Sequence, residues 1–263
     1  MTASDVPGAF ESALLARRAA GGKSLVPYLT GGLGDWTHMV GAAVHAGADA
    51  GEVGLPFSDP VMDGPVIQEA NDRSLSAGTT PTTVLDDLSR TDVGVPVAVM
   101  TYANLVYRFG WDRFASSAAA AGVSAAILPD IPLEESGDWC AAADAAGIET
   151  VMLAAPTGSD ERIGRIVDRA RGFVYAVGLL GVTGERDSLA ASALEIARRC
   201  KDLTDRPVLV GIGISTPAQA VEVCEVADGV VVGSAVVRRM VETGSPDAVA
   251  ELVGQFRAAL DAG

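Results

Sequence analysis

Basic residues, histidine and cysteine are all scarce in this chain of 263 residues. Asp and Glu number 34 against 19 Lys and Arg, a formal net charge of −15, and no stretch concentrates the basic ones. That balance excludes the broad cationic surface that nucleic acid or an anionic membrane requires. An anion must then be met locally, by backbone N–H groups or a single Arg. The three cysteines, Cys140, Cys200 and Cys224, are odd in number, far apart and without a C-x-x-C pair, which argues against a disulfide framework or a zinc site. Buried free thiols in a reducing cytoplasm are the expectation. The opening "MTASDVPGAF" lacks a basic n-region, and no run approaches the ~18 apolar residues of a membrane span. We expect a soluble cytoplasmic protein.

Apolar residues make up 49% of the sequence, enough for a large core. A length near ~250 is typical of one (β/α)8 barrel, so one domain over residues 1–263 is expected. Short β-branched runs at 24–32, 50–55, 95–103, 124–130, 149–155, 172–178, 206–213 and 228–235 read as eight strands. Amphipathic segments at 36–47, 81–90, 111–121, 134–146, 160–171, 189–201 and 216–224 alternate with them, and a closing helix runs near 246–261. Alternation of this kind means βα units and a parallel sheet. The fold class is α/β, a single TIM barrel with an extra N-terminal helix and a short extra helix over 234–242. An open doubly wound sheet is the alternative, although it usually has fewer strands. "HAGADAGEV", "AAGVSAAIL" and "AAGIETVML" each end a helix on Ala-Gly before a strand, with the Gly as an αL cap.

In a parallel barrel the chemistry sits at the C-terminal ends of the strands. There the sequence places Tyr28 and Thr30, then Glu52 with Asp59 and Asp63 in the loop that follows. Tyr102, Asn104, Asp130, Tyr175 and Thr183 complete the set. Strand alternation puts Glu52 on the face opposite Val53 and Leu55. A Glu against apolar helices is costly, so Glu52 is expected at the barrel mouth, where burial raises its pKa and suits it to acid–base work. An internal ion pair is the competing explanation of Glu52, and a plain Asp-Gly-Pro turn that of Asp63. "GVTG" (181–184), "GIGIS" (211–215) and "VVGSA" (231–235) follow strands six, seven and eight. Ordinary turns explain any one of them. Together, with Ser215 or Thr216 capping one helix and Ser234 another, they fit the phosphate site of this fold. Lys23 and Lys201 belong at the opposite face, so no barrel-mouth lysine is offered for an imine. His38 and His45 lie on one amphipathic helix and supply no metal cluster. Carboxylate acid–base chemistry on a small phosphorylated substrate remains.

The segments "PYLTGG", "AGADAGEVGLPFSDPVMDGPVIQEAN", "TYANLVYRFG", "ILPDIPLEES", "GVTGERDSL", "GIGIST" and "VVGSAVV" resemble the α subunit of tryptophan synthase over nearly the whole chain. The resemblance implies a lyase that cleaves indole-3-glycerol phosphate to indole and glyceraldehyde 3-phosphate by a retro-aldol step, without metal or imine. It assigns proton transfer at indole C3 and the substrate hydroxyl to Glu52, the indole N–H to Asp63, and a place beside the Glu to Tyr175. Thr183 would bond Asp63 on loop closure. Phosphate would meet Gly184, Gly213, Gly233 and Ser234, and the indole would lie among Tyr28, Met100, Tyr102, Ile127 and Ile212. A β subunit carrying pyridoxal phosphate is the implied partner, met by Pro56, Asp59, Pro60 and Asn104, so no cofactor belongs to this chain. The chain departs from many relatives at Gly178-Leu179-Leu180, Pro129 and Ile212. A stand-alone indole-releasing lyase, a non-catalytic barrel that only activates a β-type partner, and a different phosphate-binding isomerase are the alternatives.

Overall fold

Eight parallel strands close on themselves in sequence order, β1 to β8, in the computed structural model, which describes residues 6–178, 186–211 and 213–263, with the side chains of 186–190 excepted. The strands are β1 (Ser24–Thr30), β2 (Gly51–Gly54), β3 (Val97–Met100), β4 (Val123–Ile127), β5 (Glu149–Ala154), β6 (Val174–Ala176), β7 (Val208–Val210) and β8 (Gly229–Val232). Helices ring the barrel, and the strand residues are buried on both faces. Near-continuous apolar runs were the sequence signal for this arrangement.

Gly47, Gly122 and Gly147 all carry positive φ, so the three Ala-Gly helix ends turn as expected. One expectation about element extent is corrected. The run 95–103 contains only a four-residue strand, because the ladder ends at Met100 and the chain turns at Tyr102 into α5 (Ala103–Phe109). The long segment 56–94, with room for a further helix beside the one expected at 81–90, holds α3 (Pro65–Ser76) and α4 (Pro81–Ser89). Each starts on a proline, whose missing N–H is harmless at that position.

The bottom of the barrel is closed by α1 (Ala9–Ala19). Phe10 is fully buried and stacks on Phe173 at 5.7 Å between ring centroids. The Glu149 carboxylate accepts from the N–H groups of Phe10 (2.7 Å) and Glu11 (2.9 Å), placing an anion at the helix N-terminus. Glu11 in turn takes Arg206 Nη1 at 2.7 Å. Both lysines lie at this end, as expected. Lys23 donates to the Ala227 carbonyl at 2.9 Å and Lys201 to the Asp228 carboxylate at 2.9 Å, just ahead of β8. His38 and His45 are exposed on α2 (Trp36–His45), and the three cysteines are free and buried. Among the described residues no helix is long and apolar enough to cross a membrane.

Candidate active site

At the opposite end a cavity of about 230 Å³ opens at the strand C-termini. This is below the usual range for drug-sized ligands and suits one small metabolite. Its wall includes Tyr28, Glu52, Asp63, Met100, Ile127, Tyr175, Gly213, Gly233 and Ser234, all singled out from the sequence.

Glu52 is 1% exposed, beside Tyr28 on β1 and Ala98 on β3 in the sheet register. Alanine at that level leaves the carboxyl room to face the cavity. Its Oε2 is buried without a hydrogen-bond partner. Burial first, and the Asp63 charge second, push the Glu52 carboxyl up to about 8. No ion pair holds it among the described residues, so the competing explanation of Glu52 does not apply.

Asp63 lies in the loop after β2, half-buried. Burial raises it to about 6, against the lowering effect of hydrogen bonds from Tyr102 and Asn71. The two carboxyls therefore differ by about two pH units, enough for one to carry a proton while the other is ionised. Tyr102 takes the Met62 N–H at 3.0 Å and bonds Asp63, so it stands behind that carboxylate rather than on the cavity wall. Tyr28 and Tyr175 are raised above the ordinary phenol value, by burial first and then by nearby acidic charge, and remain neutral donors.

Two glycines make these tyrosines possible. A Cβ on Gly54 would fall 1.9 Å from the Tyr28 hydroxyl, and one on Gly211 would fall 2.1 Å from that of Tyr175. Each ring lies across a neighbouring strand where only glycine leaves space.

The far side of the cavity is built by two helix starts. Thr216 caps α10 (Pro217–Cys224) with a full capping box, and Gln219 Oε1 also accepts from the Ser215 N–H at 2.9 Å. That N-terminus satisfies itself. α11 (Ser234–Thr243) does not. Ser234 was expected as its cap, but the cap position is Gly233 and no side chain closes it, because the chain enters the helix one residue earlier. Gly233 and Ser234 both line the cavity, and the free N–H groups of a helix start are the donors that an anion requires. Gly213, at φ +92°, makes a turn that an L-residue rarely adopts.

Asp59 and Asn104 are exposed and Pro60 partly so, on the loop after β2 and on α5. Val61 and Tyr107 beside them are 80% and 70% exposed. Pro56 is buried and shapes the turn. Thr183, Gly184 and Ile212 lie outside the described residues, as do Leu179 and Leu180; Pro129 lines the cavity. Sequence reasoning did not single out Met62, Ile67, Leu153 and Val177, which also line it. For Leu153 and Val177 the signal was strand alternation that brings both to the inner face. For Ile67 it was helical spacing after the Asp63 turn.

The model of the family described as tryptophan synthase alpha chain matches residues 14–259. The tryptophan synthase alpha chain of Thermobifida fusca is 45% identical over 253 residues, covering 94% of both chains. That of Streptomyces coelicolor is also 45% identical, covering 94% of this chain and 93% of the other. A solved structure of Mycobacterium tuberculosis tryptophan synthase superposes with a TM-score of 0.89 at 36% identity, covering 98% of this chain and 100% of that one. With three-quarters of the sequence or more engaged in every comparison, this chain belongs to the tryptophan synthase alpha chain family.

Proposed function

We propose that the chain, acting as one barrel domain, is the lyase subunit of tryptophan synthase, cleaving indole-3-glycerol phosphate to indole and glyceraldehyde 3-phosphate in L-tryptophan biosynthesis. The observation that carries this reading is the split pair of carboxyls, Glu52 near 8 and Asp63 near 6, facing an uncapped helix start across one small cavity.

The chemistry follows from that arrangement. Phosphate seats at Gly213, Gly233 and Ser234, and the resemblance assigns Gly184 to the same anion. Indole packs among Tyr28, Met100 and Ile127, and the resemblance assigns Tyr102 and Ile212 to the same ring. Protonated Glu52 gives its proton to indole C3, and the ring nitrogen becomes cationic. Ionised Asp63 accepts the N–H hydrogen bond and stabilises that charge. The Glu52 carboxylate then removes the proton of the side-chain hydroxyl. The carbon–carbon bond breaks, its electrons return to the ring, and the new carbonyl leaves as the aldehyde. Glu52 ends protonated, ready for another turn. Neutral Tyr175, whose phenol feels the Glu52 charge, is assigned to steady the carboxyl through these transfers. Thr183 is assigned to hold Asp63.

We assign Asp59, Pro60 and Asn104, on a surface with exposed Val61 and Tyr107, to contact with a β subunit, and Pro56 to shaping that loop. Pyridoxal phosphate belongs to that partner, this chain holding no cofactor of its own, and the assembly is cytoplasmic. The test is steady-state cleavage of indole-3-glycerol phosphate by the purified chain, alone and with a tryptophan synthase β subunit. Slow turnover alone with strong stimulation is the expected result. Fast turnover indifferent to the partner would indicate a stand-alone lyase, and no turnover in either case would end the reading.

A further inference from the structure

The segment "GPVIQEAN" follows Asp63 directly, yet neither phosphate binding nor indole packing uses its polar residues. In the fold it forms the first turns of α3. Gln68 Nε2 reaches back to the main-chain carbonyl of Asp63 at 2.8 Å. Three residues on, on the same helical face, Asn71 Nδ2 reaches the Asp63 carboxylate Oδ2 at 3.5 Å. Asn71 is 3% exposed, a buried amide whose desolvation is offset only by such partners. The Asp63 N–H is itself held by the Pro60 carbonyl at 3.0 Å. We propose that α3 is a two-point clamp on Asp63: Gln68 fixes its main chain, and Asn71 is a positioning residue that aims and holds its carboxylate in the barrel mouth.

This inference rests on the proposed role of Asp63. The clamp answers a specific difficulty. Asp63 sits on a loop, and it shares its surroundings with Glu52 of β2, Tyr28 of β1, Tyr102 ahead of α5 and Tyr175 of β6. Burial favours its neutral form, and two donors oppose that, Tyr102 and Asn71. A rigid helix is a better mount than a loop for a group that must meet the indole N–H in one geometry.

The test follows the Asp63 carboxyl directly by 13C NMR titration, with Asp63→Asn assigning its signal, in the wild type and in Asn71→Leu, Asn71→Asp and Gln68→Ala. Asn71→Leu removes the donor, and a hydrogen bond to a charged group of ordinary strength corresponds to a shift of about one pH unit; the long 3.5 Å contact places the expected rise at about half that or more. Asn71→Asp keeps the shape and reverses the sign, so its rise should be larger. Gln68→Ala, which touches only the main chain, should leave the titration in place and lower kcat. An unmoved titration in both Asn71 variants would overturn the inference. The pH profile of kcat/KM in the same variants reads the role of Asp63 separately: an acidic limb that stays put while the carboxyl moves would remove Asp63 from the reaction. The second ionisation of the substrate phosphate, unlike the Asp63 limb, is common to all variants.

Discussion

Glu52 costs the fold energy that the reaction recovers. One of its oxygens is buried and unpartnered, and its carboxyl holds its proton to about pH 8 when folded, against about 4.5 in an unperturbed chain. Between those values the folded state binds one proton more than the unfolded state. Stability therefore falls as pH rises through this window, by up to about 1.4 kcal/mol per unit. This is the reverse of a salt-bridged carboxylate. Replacing Glu52 by the neutral isostere Gln removes the penalty. We expect Glu52→Gln to match the wild type in urea unfolding near pH 5 and to exceed it by several kcal/mol near pH 8.5. The buried carboxyls of Asp49 and Glu149 are common to both proteins and cancel in the difference. A gap that does not grow with pH would show that Glu52 is not held neutral.

Among the elements, β1 and β6 owe the placement of Tyr28 and Tyr175 to glycines on or just after the adjacent strands. Gly211 follows β7 and leaves space for the Tyr175 hydroxyl, and its backbone is one that alanine adopts without strain. Gly211→Ala should therefore leave the barrel folded and push Tyr175 into the substrate's space. A displacement of this order near reacting groups costs about 10²-fold in kcat/KM. Unchanged kcat/KM with an unchanged melting curve would show that the ring has room to move. Element ends were the least legible part of the sequence. The apolar run at 95–103 hid the start of α5, because Thr101 and Tyr102 suit a strand as well as a turn. Ser234 looked like a cap by residue type alone; only the backbone shows that the helix starts on it, and that difference leaves the helix start without a side-chain cap.

Across the whole molecule the two ends of the barrel divide the labour. The bottom carries the α1 plug with the ion pairs of Glu11 with Arg206 and Asp228 with Lys201. At the top the cavity holds the Glu52 carboxyl, with one oxygen unpartnered, and a helix start without a side-chain cap, while ion pairs such as Asp160 with Arg199 lie outside it. The scarcity of lysine and histidine made this division readable in advance, since neither lysine could reach the mouth and neither histidine could join it. The barrel, the inward face of Glu52 and the glycine turns after β7 and β8 that line the cavity followed from periodicity and from glycine placement. The clamp of Gln68 and Asn71 on Asp63 did not, because a polar residue on an exposed helical turn and one aimed into a site look alike in sequence. Thr183, Gly184 and Ile212 lie outside the described residues, and their roles rest on the resemblance alone. The most direct test is release of indole from indole-3-glycerol phosphate by Glu52→Gln, with binding of indolepropanol phosphate measured in parallel. Loss of acid–base transfer should lower turnover by about 10²–10⁴-fold while binding stays within a few-fold of the wild type. Turnover at the wild-type rate would contradict the assignment of proton transfer to Glu52.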